Sequence, residues 1–292
     1  MIGPGTRRGL NALEVIVAVA VVGGVALVLM IAMPRGREAA RRASCQRNLM
    51  QVGMALGLYH EAVGSLPTVH LGGEGPLAAM LGELGQADLQ ALNDRKLPPP
   101  KASAGPPAER PIRGFICPSD PNASAGTHPA PVSYRATTGS ATDGQGGPFA
   151  IGKRVTLAEV EAADGVSYTA AFSERLVGHG ASSPDPLAGY HVVPGPIPPS
   201  GCPTSGPKAL RGDAGSSWAR ADWRTTISTH ASSPNRSPSC IAADGRTALM
   251  GASSGHPDGV HVLLLDGSLK AIRPSVAPEV WKSLATVGEP PR

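Results

Sequence analysis

From Leu10 to Met33 the chain is an apolar run interrupted chiefly by Glu14 and stopped by Pro34. At about 1.5 Å per residue a helix over these positions rises about 36 Å, enough to cross a hydrocarbon core of about 30 Å once. Beyond Pro34 the pattern changes. Cys45, Leu49, Val52, Leu56, Tyr59 and Val63 recur every three or four residues, while Gln46, Arg47, Gln51 and Glu61 fall between them. That spacing predicts a helix that lays one face on a globular part. Pro34 lies at the junction and is a point where the helix is expected to kink or break.

The remaining chain reads as one head, residues 64–292. PLAAMLGELGQADLQALND, beginning at Pro76, predicts a second helix with proline in its first turn. Residues 97–111 are too rich in proline for regular structure, and residues 182–217 form another Pro, Gly and Ser-rich excursion, pinned by Cys202. GFICP, SYRATTG and SYTAAFSERLV predict strands, as do RTALM, GVHVLLL and SLKAI nearer the end. Asp266-Gly267 between the last two predicts a two-residue hairpin turn. Ala277 to Ala285 predicts a closing helix with Pro278 in its first turn. Strands in a meander with helices at the flanks make the fold α+β, a long N-terminal helix against a mainly antiparallel sheet.

Composition adjusts this picture in two ways. Aromatic residues are 3% of the chain against 37 glycines and 30 prolines, so the core has to come from Val, Leu, Ile and Ala. The net charge of +4 lies largely in arginines beside the apolar run. These suit anionic lipid headgroups; without interleaved aromatics nucleic-acid binding is not indicated. Arg7 and Arg8 precede the run, but Arg35, Arg37, Arg41, Arg42 and Arg47 follow it, so charge alone leaves the orientation open. Cys45, Cys117, Cys202 and Cys240 form an even set with no C-x-x-C spacing, which favours disulfides outside the cytoplasm over a zinc ribbon. Four cysteines allow three pairings; Cys45 with Cys117 and Cys202 with Cys240 is the pairing expected.

Arg7-Arg8-Gly9, then Leu10 and Glu14 ahead of the apolar run, resemble the prepilin-type cleavage and methylation signal. The resemblance implies cleavage by a prepilin peptidase after Gly9, a methylated amino terminus at Leu10, where Phe is usual, and pairing of Glu14 with a neighbouring subunit's terminus. The segments then divide into a leader (1–9), a transmembrane helix (10–33), its continuation (34–63) and the head. SCQRNLMQVGMALGLYHEAVGSLP, GFICPSDP, SYRATTGS, DGVSYTAAFSERLVG and GHPDGVHVLLLDGSLKAI, in that order, resemble a bacterial family of prepilin-like proteins with a head of unknown function. Its hallmark of His, nine residues, then Asp-Gly is met by His256, Asp266 and Gly267. The family implies a single pass through the inner membrane, amino terminus cytoplasmic and head outside, with other pilin-like subunits as partners and no established activity.

Candidate chemistry is sparse, and neither a catalytic residue nor a cofactor is expected. His256, Asp258, His261 and Asp266 are ligand-type residues, but an extended strand at about 3.3 Å per residue keeps His256 and Asp266 about 20 Å apart. His261 is better placed to join His256 and Asp258. GASSG, residues 251–255, matches G-x-S-x-G but lacks the helix a nucleophile elbow requires. Glu174 and Arg175 read as an ion pair, and Asp143 and Asp164 lack EF-hand spacing. No Walker-type loop is present. The expected function is envelope assembly; the rival is a membrane-tethered metal-dependent hydrolase or binding module using the His256 region.

Overall fold

The computed structural model describes residues 11–93, 110–123, 126–197, 201–202, 210–236 and 238–288. Contacts divide the chain into two compact units, Met1–Arg41 and Arg42–Arg292. The first described element, α1 (Ala12–Val63), is a 52-residue helix whose backbone stays helical through Pro34.

In the first unit α1 carries its apolar side chains outward: Leu13 is 71% exposed, Ile16 65% and Val22 68%. Among the described residues no helix is long and apolar enough to cross a membrane. The span expected over residues 10–33 includes Leu10 and the side chains at 28, 29, 31 and 32, which lie outside the described residues.

The second unit begins on the same helix and buries it. Cys45, Leu49 and Val52 have no exposed surface and Leu56 very little, and each such side chain contributes about 1.5–3 kcal/mol on leaving water. Two short helices follow, α2 (Pro76–Ala79) and α3 (Ala87–Asn93), where the sequence predicts one. Gly85, at φ +72°, stops the chain between them, since a left-handed residue cannot continue a helix. GFICP is a turn of 3-10 helix at Arg113–Phe115 and not a strand. The turn packs Phe115 edge-on against Trp218, at 6.0 Å between ring centres, and delivers Cys117 to α1.

The strands are β1 (Tyr134–Thr137), β2 (Ala170–Glu174), β3 (Ser182–Ser183), β4 (His191–Val193), β5 (Leu210–Arg211), β6 (Ile227–Ser228), β7 (Cys240–Ala242), β8 (Ala248–Leu249), β9 (Val260–Leu264) and β10 (Leu269–Ile272). Five form the central sheet in the order β10-β9-β2-β1-β6, antiparallel except where β6 pairs with β1. The fold is α+β, with this mainly antiparallel sheet beside a long helix. Two further helices, α4 (Leu157–Ala163) and α5 (Pro278–Ser283), flank it. Thr156 and Glu159 close a reciprocal capping box on α4, a signal the hydrophobic pattern does not carry.

Both faces of the sheet are covered, which is why β1, β2 and β9 are buried at every position. Alternation sorts their side chains. Tyr134, Ala136, Phe172 and Leu263 join the core with α1; Val260, Val262 and Leu264 join a second cluster with Trp281 of α5. The β9–β10 connection differs from the two-residue turn expected. Gly267 N–H donates to Leu264 O and Leu264 N–H to Ser268 O, so the loop has three residues, and within it Gly267 alone takes positive φ, at +83°. A three-residue loop ending in left-handed glycine is the next commonest hairpin.

Candidate functional site

Where α1 crosses the ends of β2 and β9, the core becomes polar. β2 carries Glu174 at its last position, directly across from Tyr134 of β1. On the other side, Ser173 pairs with Val262, so Glu174 meets His261 one step further along the ladder. The loop before β9 returns His256 to the same point. All are buried, Glu174 at 2%, His256 at 3% and His261 at 1% exposed.

One carboxylate holds both rings. Glu174 Oε1 lies 3.1 Å from His261 Nδ1 and 3.4 Å from His256 Nε2. Glu174 Oε2 accepts the backbone N–H of His261 at 2.9 Å. The rings meet edge to face with centres 4.6 Å apart. Burial opposes the charge on Glu174, but the hydrogen bonds from His256 and His261 outweigh it and hold the carboxyl down to about 2. With Nδ1 donating to Glu174, His261 Nε2 is free to accept the side-chain amide of Gln46, at 3.2 Å.

A disulfide closes the fourth side of this cluster. Cys45 of α1 is bonded to Cys117, and Cys117 Sγ lies 3.5 Å from His256 Nε2. The Tyr134 hydroxyl donates to Cys45 O at 3.3 Å. Just beyond, the Asp120 carboxylate accepts from Ser133 Oγ and the backbone N–H groups of Asn122, Ala123 and Val177. Burial nevertheless pushes its carboxyl up to about 6. Between Asp120 and the disulfide is a cavity of about 10 Å³, also touched by Glu174, Arg175 and Ser253, room for about one water molecule.

Glu174 and Arg175 do not pair, because consecutive strand residues point to opposite faces. Arg175 turns away and donates to Ser239 Oγ and the carbonyls of Gly189 and Gly251; burial lowers its guanidinium to about 10. Ser173 turns the same way and bonds His230 Nε2 at 2.9 Å, and the His230 ring stacks on Trp281 with centres 3.7 Å apart.

The other residues singled out in the sequence are scattered. Gly9 and Leu10 lie outside the described residues. Glu14 sits in the first turn of α1 and accepts the N–H of Asn11 at 3.0 Å. Asp266 and Gly267 form the exposed hairpin turn, away from His256. His261 does join His256, but through Glu174; Asp258 instead pairs with Arg42 of α1. Ser253 of GASSG donates to Leu187 O and accepts from Leu176 N–H, a connection between loops. Asp143 and Asp164 accept backbone N–H groups. Cys202 and Cys240 form a second disulfide beside the small sheet β4-β7-β8. Gln46 and Glu174 are the cluster residues that periodicity could not find. A carboxylate at the end of a fully buried strand was the available signal, since such a charge requires a partner.

A family model covers this whole arrangement, matching residues 34–279 with the description "protein of unknown function (DUF1559)". The chain belongs to this family. No curated protein and no solved structure matches it. Both disulfides, Glu174, His256, His261 and the β9–β10 hairpin fall within the DUF1559 region, whereas the outward-facing apolar stretch of α1 before Pro34 lies ahead of it. The family region therefore takes in the docking part of α1 and the head as far as the start of α5.

Proposed function

We propose that this DUF1559 protein is a membrane-anchored, pseudopilin-like assembly protein of the cell envelope with no catalytic activity of its own. The observation that carries the reading is the changing surface of α1. Its first part presents Leu13, Ile16, Val19 and Val22 to the surroundings, and its later part buries Cys45, Leu49, Val52 and Leu56 in the head. Exposed apolar surface on this scale is costly in water and favourable in lipid. One helix can thus serve as anchor and as part of the head.

The anchor is a single pass through the inner membrane, amino terminus in the cytoplasm and head outside. Assembly would follow cleavage by a prepilin peptidase after Gly9: the methylated terminus at Leu10 pairs with Glu14 of a neighbour, and the apolar helices of these pilin-like subunits bundle within the bilayer. A carboxylate inside an apolar span is retained at a cost and calls for such a partner. The arginines after the span weigh against this orientation, and the two disulfides in the head weigh for it. The rival, a hydrolase at His256, is disfavoured by the burial of that ring and the bonding of the adjacent sulfur into a disulfide.

The test is the intact mass and N-terminal sequence of protein purified from its native membrane. A chain beginning at N-methylated Leu10 is the expected result. A chain beginning at Met1 would refute processing and leave a simple anchored head.

A further inference from the structure

The geometry points to a second state of the Cys45–Cys117 cluster: we propose that reduction of this disulfide converts Cys45, Cys117, His256 and Glu174 into a zinc site. Their ligating atoms already lie within 4.8 Å of one another, and all four residues are buried. Tetrahedral zinc, with Zn–S of about 2.3 Å and Zn–N or Zn–O of about 2.0–2.2 Å, needs ligand atoms about 3.3–3.8 Å apart. Cys117 Sγ to His256 Nε2 is 3.5 Å and His256 Nε2 to Glu174 Oε1 is 3.4 Å. Those two edges of the tetrahedron exist in the oxidised protein, and parting the sulfurs supplies the others.

The surroundings suit a metal. His261 binds both oxygens of Glu174, through its ring to Oε1 and through its backbone to Oε2, which fixes the carboxylate as second-sphere partners do. The ligands come from α1, the turn after Phe115, the end of β2 and the loop before β9, so zinc would tie the helix to the head where the disulfide does. The small cavity reaching Cys117 and Glu174 gives water a foothold beside the sulfur.

The chemistry balances with a dithiol as reductant. The dithiol gives two electrons and two protons to the Cys45–Cys117 bond and closes to its own disulfide, leaving two thiols. Zinc then forms two Zn–S bonds, both thiol protons leave to solvent, and His256 carries its proton on Nδ1 so that Nε2 can bind the metal. A disulfide of the same class reverses the sequence: it takes two electrons from the zinc-bound thiolates and two protons from solvent to become a dithiol, the sulfurs rejoin, and zinc, left with His256 and Glu174, departs. The cluster is thus a clamp with interchangeable covalent and metal-bound forms.

The full chain in detergent micelles, reduced with a phosphine and loaded with zinc or cobalt(II), tests this. About one metal ion per chain is expected after desalting of the reduced protein, and at least tenfold less in the oxidised one. The cobalt form should show thiolate-to-cobalt charge transfer with intense tetrahedral d–d bands. His256→Ala and Glu174→Gln should weaken retention at least tenfold, and Cys202→Ser with Cys240→Ser should leave it unchanged. A reduced chain that loses its circular-dichroism signal and regains it with zinc also supports the proposal. Equal metal in both redox forms, weak octahedral cobalt bands without charge transfer, or a reduced chain that zinc neither binds nor refolds would overturn it.

Discussion

Residues 12–27 and 42–63 lie on the same helix, yet they belong to different worlds. The first stretch exposes its apolar side chains. The second buries a narrow stripe and adds a disulfide, a glutamine amide and an arginine to hold the head. Helical geometry is common to both, so what differs is the pattern: a run apolar all round suits lipid, and a 3.6-residue stripe suits one protein face. The first stretch should therefore contribute nothing to the head's stability and the second a great deal.

The largest expected effect comes from Glu174→Ala. It leaves two buried imidazoles and the His261 N–H without their acceptor, and should cost about 3–5 kcal/mol in urea unfolding of the purified chain. Leu13→Ala in the exposed stretch should move the same midpoint by less than about 0.5 kcal/mol. A Glu174→Ala chain as stable as the parent would show that the cluster does not hold the helix.

The disulfides sharpen the contrast inside the head. Their sequence separations, 72 and 38 residues, give chain-entropy contributions of about 4 kcal/mol each, nearly equal. Surroundings should separate them. Cys45→Ala with Cys117→Ala opens a void beside Glu174 in the main core, whereas Cys202 is half-buried at its margin. The first pair should cost at least about 1 kcal/mol more than the second; equal losses would mean that chain entropy alone decides.

Acid should reveal the two faces of the sheet in turn. Burial pushes the His230 imidazole down to about 3 from 6.5. The unfolded chain therefore takes the proton first, and this stabilisation, full above pH 6.5, fades as pH falls toward 3. Glu174, held at about 2 against an ordinary 4.5, adds a loss in the same direction below pH 4.5. Asp120, raised to about 6 from 3.8, acts oppositely: its contribution is complete below 3.8 and disappears as pH rises through 6. Between pH 6.5 and 4.5 the His230 loss, about 2 kcal/mol, is largely offset by a gain of similar size from Asp120, so the net loss should be only about 1 kcal/mol. His230→Asn should turn that loss into a gain, and an unchanged slope would shift the cause elsewhere. Within the docking stretch the smallest effect belongs to Arg42→Ala, whose ion pair with Asp258 is about one-third exposed on each side. It should cost under about 1 kcal/mol and vanish in high salt.

Much of this was legible because it rests on local periodicity. The stripe from Cys45 to Leu56, the strands Tyr134–Thr137, Ala170–Glu174 and Val260–Leu264, and the proline-led α5 follow from spacing and propensity. What escaped depends on distant contacts. Glu174 meets His261 only through the register of β2 on β9, which contains an irregularity between Ala170 and Phe172. Strand length separated His256 from Asp266 correctly but said nothing of a third strand beside them. GFICP has strand-like composition, yet the needs of Phe115 and Cys117 bend it into a turn. At Asp266-Gly267 the dipeptide fits two loop lengths, and the ladder chooses the longer.

Protease treatment of spheroplasts, followed by alkaline carbonate washing and mass mapping of what stays in the membrane, tests the central contrast most directly. The account predicts that protease added outside digests the head while a carbonate-resistant fragment containing residues 12–27 remains. Recovery of the intact chain, undigested, in the soluble cytoplasmic fraction would contradict it.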